Sequence, residues 1–203
     1  MSSLLIATLL NLVMSREVIR FDAVAEQEYR DSCGYSVVGT LLGIYWGLPF
    51  DETALLKEAG VGAEGGGGRP ADGAGPPPTE GRSLTVAGML TLIEGAGLLT
   101  QGFRLKEAEL RAAAQRFAPV VVHFAKPEKH YALLLSAGRD HFVIADPSRG
   151  LISISRRRFL HLWSGVALLA TGPDGHTVRR STVTRAVSVV NGRRLLLEDR
   201  LWR

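Results

Sequence analysis

Cys33 is the only cysteine in the 203-residue chain. A cysteine that does chemistry needs a lowered thiol pKa, a nearby base and donors for an oxyanion. Cys33 stands where the polar run QEYRDS gives way to the apolar stretch GYSVVGTLLGIYW, so it falls at or beside the start of a helix. The partial positive charge there favours thiolate. Gly34 behind it would let a substrate backbone approach closely. The plainer reading of a lone cysteine is an inert buried side chain, and helix-start placement is what weighs against it. One cysteine excludes an internal disulfide and a multi-cysteine zinc site. The five histidines (His123, His130, His141, His161 and His176) show neither HxxxH nor HExxH spacing, so no metal and no cofactor is expected.

The base for such a thiol is a histidine fixed by a third group. His130 begins the apolar run YALLLSA and Asp146 closes HFVIA, with Ser136 to Asp140 reading as a tight turn between them. A hairpin centred on Gly138 and Arg139 sets His130 opposite Asp146 or Pro147. Cross-strand neighbours lie roughly 5 Å apart at Cβ, within reach of an imidazole–carboxylate hydrogen bond. The other histidines lack this geometry. His123 is mid-strand, His141 sits beside the turn, His161 is in an arginine-flanked helix and His176 is in the tail. Two alternatives stay open: a surface histidine at a strand edge, and an aspartate that only forms the turn before Pro147.

The elements that must position these residues read as α+β. Val37, Val38, Leu41, Leu42 and Tyr45 share one helical face, and Gly47 and Pro49 end that helix. Asp51 caps a second helix that Gly60 stops. Residues 61–82 are rich in Gly and Pro and nearly devoid of large apolar side chains, which predicts a flexible loop inside one domain. A helix near Ser83–Ala96 follows, then a strand over LLTQGFRL and the amphipathic helix KEAELRAAAQRF, stopped before Pro119. The remainder is strongly β, with strands in VVVHFA, YALLLSA, HFVIADP and LISIS. A helix RRFLHLW and the strand GVALLA come next. Asn191-Gly192 predicts a hairpin in the tail. Helices first, then a meandering sheet, is α+β order.

The formal net charge is +4. Residues 1–100 carry 6 basic and 12 acidic side chains, against 18 and 8 in residues 101–203. The basic C-terminal extension, residues 171–203, either touches an anionic surface such as lipid head groups or is a set of solvated arginines. No aromatics interleave with Arg179, Arg180 and Arg185, so no nucleic-acid partner is expected. Residues 3–14, SLLIATLLNLVM, are too short for a membrane span, which needs roughly 20 residues. They have the length of a signal-peptide core, with small residues following, so residues 1–15 are expected to direct export to the periplasm or medium. The alternative is an N-terminal helix packed on a cytoplasmic domain.

Taken together, Gln27-(five residues)-Cys33-Gly34, the apolar helix, Ser83-Leu84, Lys129-His130-Tyr131 and Ile144-Ala145-Asp146-Pro147-Ser148-Arg149-Gly150 resemble the bacteriocin-processing peptidases. This is a papain-like family that removes double-glycine leaders, and the likeness is to its stand-alone exported type. It spans residues 18–170, within an expected domain of residues 16–170. The resemblance implies a papain-like fold, with the helical part packed on an antiparallel sheet, and a peptide or protein substrate. It also implies roles: Cys33 as nucleophile through a thioester, His130 as base, Asp146 orienting the imidazole and Gln27 donating to the oxyanion hole. Without it, Gln27 reads as a solvated loop residue. Tyr35-Ser36 after Cys33-Gly34 departs from the usual small residues, and the tyrosine is expected to narrow the cleft. The Gly/Pro-rich insertion also departs from the pattern. Transpeptidation or deamidation, and a non-catalytic peptide-binding module, are the competing functions.

Overall fold

The computed structural model describes residues 20–27, 32–50 and 84–201. The apolar N-terminal segment, the helix expected after Asp51 and the 61–82 insertion lie outside the described residues.

The first helix, α1, is Cys33–Gly39 and continues in π-helical form over Thr40–Trp46. Its expected inner face is buried, with Val37, Val38, Leu41, Leu42 and Tyr45 all 5% exposed or less. Gly47 ends it in the left-handed region at φ 66°, a conformation that costs glycine little. Helix α2, Val86–Gly95, starts where the Thr85 side chain accepts a hydrogen bond from the Gly88 N–H.

Six strands follow: β1 Leu99–Arg104, β2 Val120–Phe124, β3 His130–Ala137, β4 His141–Asp146, β5 Gly150–Ser155 and β6 Trp163–Thr171. Helix α3, Glu107–Phe117, joins β1 to β2, and α4, Arg156–Leu162, joins β5 to β6. The sheet order is β1-β6-β2-β3-β4-β5, with every neighbour antiparallel. Strands β2 to β5 meander as the sequence suggests, and β6 returns beside β2.

The central strands are covered on both faces, which explains why they read as nearly continuous apolar runs. Val121, Leu133 and Val143 face α1 and α2, whereas Val122, Leu134 and Ile144 face α3 and α4. Two cores therefore back one sheet.

Three expectations are corrected. The tail forms no hairpin: α5, Arg180–Leu201, runs straight through Asn191-Gly192. Val183, Ala186, Val187 and Val190 recur at i, i+3, i+4 and i+7, and this helical stripe joins the core under α1, overriding a turn dipeptide that has no alternating strands beside it. The stretch expected as an extension thus supplies part of the core. The β3–β4 register is also offset. Leu133 pairs with Ala145, and a bulge between Leu134 and Ser136 shifts the remainder by one, so Ala132, not His130, stands opposite Asp146. Finally, Gly34 does not face a cleft. A Cβ there would lie 2.8 Å from Leu84 Cβ and 2.9 Å from Met89 Cε, so the glycine is what lets α1 pack closely on α2.

Candidate active site

Cys33 is the first residue of α1, and no side chain caps that helix start. The thiol is 5% exposed. His130 opens β3, and its side chain is 22% exposed. Its imidazole lies close enough to the Cys33 side chain to be influenced by it, and its Nε2 lies 2.9 Å from Asp146 Oδ1. The two strand residues are diagonal rather than opposite, a separation long side chains still span. The structure therefore brings three of the four expected residues together in one line: thiol, imidazole, carboxylate.

Asp146 is 1% exposed, and burial alone would push its carboxyl pKa up. The hydrogen bond and charge of His130 reverse this, helped by the Ser148 N–H at 2.9 Å and the Ser148 hydroxyl at 2.8 Å, and hold it below the ordinary value. Asp146 is thus both the turn former and the partner of His130. Burial also works against the imidazolium of His130. Hydrogen bonds to Asp146 and Cys33, then the charges of both, outweigh it and bring the pKa up to about 9. At neutral pH the histidine is charged beside the cysteine.

Gln27 is held by its backbone. Its N–H donates to the Pro147 carbonyl at 3.0 Å, which ties it to the turn that carries Asp146. The preceding residues are fastened to α1. The Ala25 N–H donates to Thr40 Oγ1 at 2.9 Å, the Tyr45 hydroxyl donates to the Ala23 carbonyl at 3.1 Å, and Val24 is 1% exposed in the core. Arg20 Nε donates to the Arg149 carbonyl beyond the same turn. Gln27 Oε1 is enclosed without a partner among the described residues. Such an orphan costs roughly 1–3 kcal/mol.

The profile of the Peptidase C39 family matches residues 78–174, just under half of the chain and including His130 and Asp146. The chain is similar to that family over this stretch. It is 24% identical over 153 residues to a probable functional amyloid protease, FapD, of Pseudomonas aeruginosa, covering 75% of this chain and 62% of that protein. It is 33% identical over 87 residues to the colicin V secretion/processing ATP-binding protein CvaB of Escherichia coli, covering 43% of this chain and 12% of the relative. The chain thus spans less than two-thirds of either relative. Among solved structures, the peptidase domain of Streptococcus ComA superposes with a TM-score of 0.57 at 18% identity, covering 74% of this chain and 98% of that domain. A double glycine motif protease from an AMS/PCAT transporter, in complex with its leader peptide, gives a TM-score of 0.56 at 18% identity, covering 72% and 89%. The fold is that of these peptidase domains.

Three neighbours of the candidate site were named in the sequence reading without a role in it. Ser148 supplies two of the hydrogen bonds to Asp146, and its signal was the turn sequence Asp-Pro-Ser. Tyr131 is 8% exposed, and its phenol pKa is raised by burial and by the charge of Cys33. His123 stands opposite Tyr131 in the β2–β3 ladder, with ring centroids 4.9 Å apart. A polar residue at the position after Val121 on the α1-facing side of an otherwise apolar strand was the available clue. Tyr35, expected to narrow the cleft, is 6% exposed.

Proposed function

We propose that this chain is a peptide-cleaving cysteine peptidase in which Cys33, His130 and Asp146 act as the triad and Gln27 serves the oxyanion hole. The observation that carries the reading is His130, beside the Cys33 thiol and hydrogen-bonded to buried Asp146. In this mechanism Cys33 Sγ attacks the scissile carbonyl carbon, and its electron pair forms the C–S bond. The resulting oxyanion is met by the Gln27 carboxamide and the Cys33 backbone N–H. As the C–N bond breaks, the imidazolium of His130 gives its proton to the leaving amine. Water, deprotonated by the neutral imidazole, then cleaves the thioester and returns the thiol. Asp146 keeps the ring oriented throughout.

The double glycine motif protease among the structural neighbours is the support for a peptide with small residues before the scissile bond. The apolar run at residues 3–14 supports export, to be checked by N-terminal sequencing of protein from its host. The deciding experiment is a mass-spectrometric cleavage screen of a Gly-Gly-centred peptide library. Wild type should release products that Cys33→Ala does not. Iodoacetamide should label Cys33 rapidly at pH 6, and slowly in His130→Ala. Equal peptide retention by wild type and Cys33→Ala, with no product, would instead mean a binding module.

A further inference from the structure

The end of β3 away from His130 opens on a cavity of about 670 Å³. It lies where β2 begins and β3 ends, between α3 and the opening turns of α5. Each helix lines it with residues at i, i+3, i+4 and i+7, counted from Ala108 and from Arg180, which is one face apiece. At roughly 3.3 Å per strand residue, Ser136 on its floor is about 20 Å along β3 from His130. The cavity is therefore separate from the candidate active site and shares no residue with it.

Two kinds of surface meet there. Leu135, Val183 and Val187 are apolar, whereas Arg111, Arg116 and Arg180 bring three positive charges. No acidic side chain lines the cavity among the described residues, and none of the three arginines is ion-paired among them. Glu107 feels the charge of Arg111, but its carboxylate is committed to Arg156 through bonds of 2.5 and 2.6 Å. Arg111 Nη1 donates to the Gly138 carbonyl at 2.6 Å, which fixes that side chain and uses one of its five N–H donors. The Arg116 guanidinium lies 5.2 Å from the Phe117 ring centroid. Like charges gathered around one concave, partly apolar space repel one another and focus a positive potential into it. An anion relieves both.

We propose that this cavity binds an amphipathic anion, a carboxylate or phosphate carried on an apolar chain. The arginines receive the head group, and Leu135, Val183 and Val187 receive the chain. The volume is that of a single small-molecule site, roughly 300–1,000 Å³, in which apolar walls supply contact and a few polar groups fix orientation. Guanidinium forks match carboxylate and phosphate alike, so the head-group chemistry is common to both. The site stands independently of the peptidase reading.

Binding is measured by isothermal titration calorimetry on the full chain with dodecanoate and with dodecyl phosphate, each below its micelle concentration. At least one should bind saturably at one site per chain and raise the melting temperature. Arg116→Gln and Arg180→Gln remove guanidiniums that hydrogen-bond to nothing else among the described residues. Each should weaken binding roughly 10- to 100-fold, the share of a charge-assisted hydrogen bond. Ala112→Phe, at an exposed α3 position that lines the cavity, should block it with no change of charge. Arg157→Gln removes the same charge from an exposed position on α4 outside the cavity and should leave the affinity unchanged, as should Cys33→Ala. Acetate and inorganic phosphate supply the head group alone and dodecyl maltoside the chain alone, and each should bind roughly 10-fold more weakly or worse. No saturable binding of either probe overturns the site, as does binding that survives Ala112→Phe and both arginine changes in folded variants. Equal affinity for the head group alone or for the uncharged chain overturns the amphipathic ligand. A wild type that binds a probe in this pattern yet cleaves no peptide overturns the peptidase and leaves the site.

Discussion

At the scale of single residues, the chemistry is set by two opposed burial effects. Asp146 is buried enough to be expelled as a charge, and His130 likewise, yet each charge is the reason the other survives. Because the folded pKa of His130 is about 9 against an ordinary 6.5, its charge contributes stability in full below about pH 6.5. That contribution is lost as pH rises through about 9. Asp146 has the opposite sign: its lowered pKa contributes above the ordinary 3.8 and is lost as pH falls below it. The melting temperature should therefore decline between about pH 6.5 and 9 in the wild type and decline less in His130→Ala, as scanning calorimetry at stepped pH would show. The basic limb of kcat/KM should fall in the same window, since the imidazolium is the acid. Asp146→Asn probes the orientation of the ring rather than its presence. The amide oxygen can still accept both Ser148 bonds, so the turn should hold, but the partner of Nε2 becomes ambiguous. Cleavage should drop by roughly 10²- to 10⁴-fold, with Cys33 alkylation at pH 6 slowed in parallel. Retained full activity would remove Asp146 from the site.

At the scale of elements, the site is where three pieces of chain are fastened to one another: the start of α1, the first residue of β3 and the turn after β4. The 20–27 segment ties the turn after β4 to the π-helical continuation of α1, through Gln27–Pro147 and Ala25–Thr40. Gly34 sets how closely α1 approaches α2. Gly34→Ala must push Leu84 and Met89 away by several tenths of an ångström. Overpacking of this kind costs about 1–3 kcal/mol, or roughly 2–4 °C of melting temperature per kcal/mol in a domain this size. It also displaces Cys33, the adjacent residue, from His130. Cleavage should fall more steeply than stability does, and Leu84→Ala combined with Gly34→Ala should recover part of both. If Gly34→Ala is as stable and active as wild type, the close approach of the helices has no role in placing the thiol.

At the scale of the whole molecule, most of the architecture was legible because burial leaves a period in the chain. The α1 face, the α3 helix and the β2 to β5 meander all follow from 3.6- or 2-residue spacing or from apolar runs between turn residues. The proposed triad was legible for a related reason: Cys33, His130 and Asp146 each stand at an element boundary, where a polar residue next to an apolar run is conspicuous. What escaped were effects that arise only when elements meet. The bulge near Ser136 changed the register, Gly34 turned from the cleft to α2, and His123 found Ser164 across 41 residues. The tail shows the contest most directly. Asn191-Gly192 has the chemistry of a tight turn, but the Val183 to Val190 stripe has the period of a helix and a core to enter. The two readings give opposite signs for one substitution. In a hairpin turn Gly192 would need a positive φ, and alanine there would be destabilising. In α5, Gly192 is an exposed helical position where an added Cβ meets nothing within 4 Å. Gly192→Ala should therefore stabilise the protein by about 0.5–1 kcal/mol through helix propensity and lost unfolded-state freedom. Calorimetry should read this as a rise of a few degrees at most, with cleavage unchanged, because the position lies outside the groups that bind or react. A fall in melting temperature would mean that the tail turns at Asn191 after all.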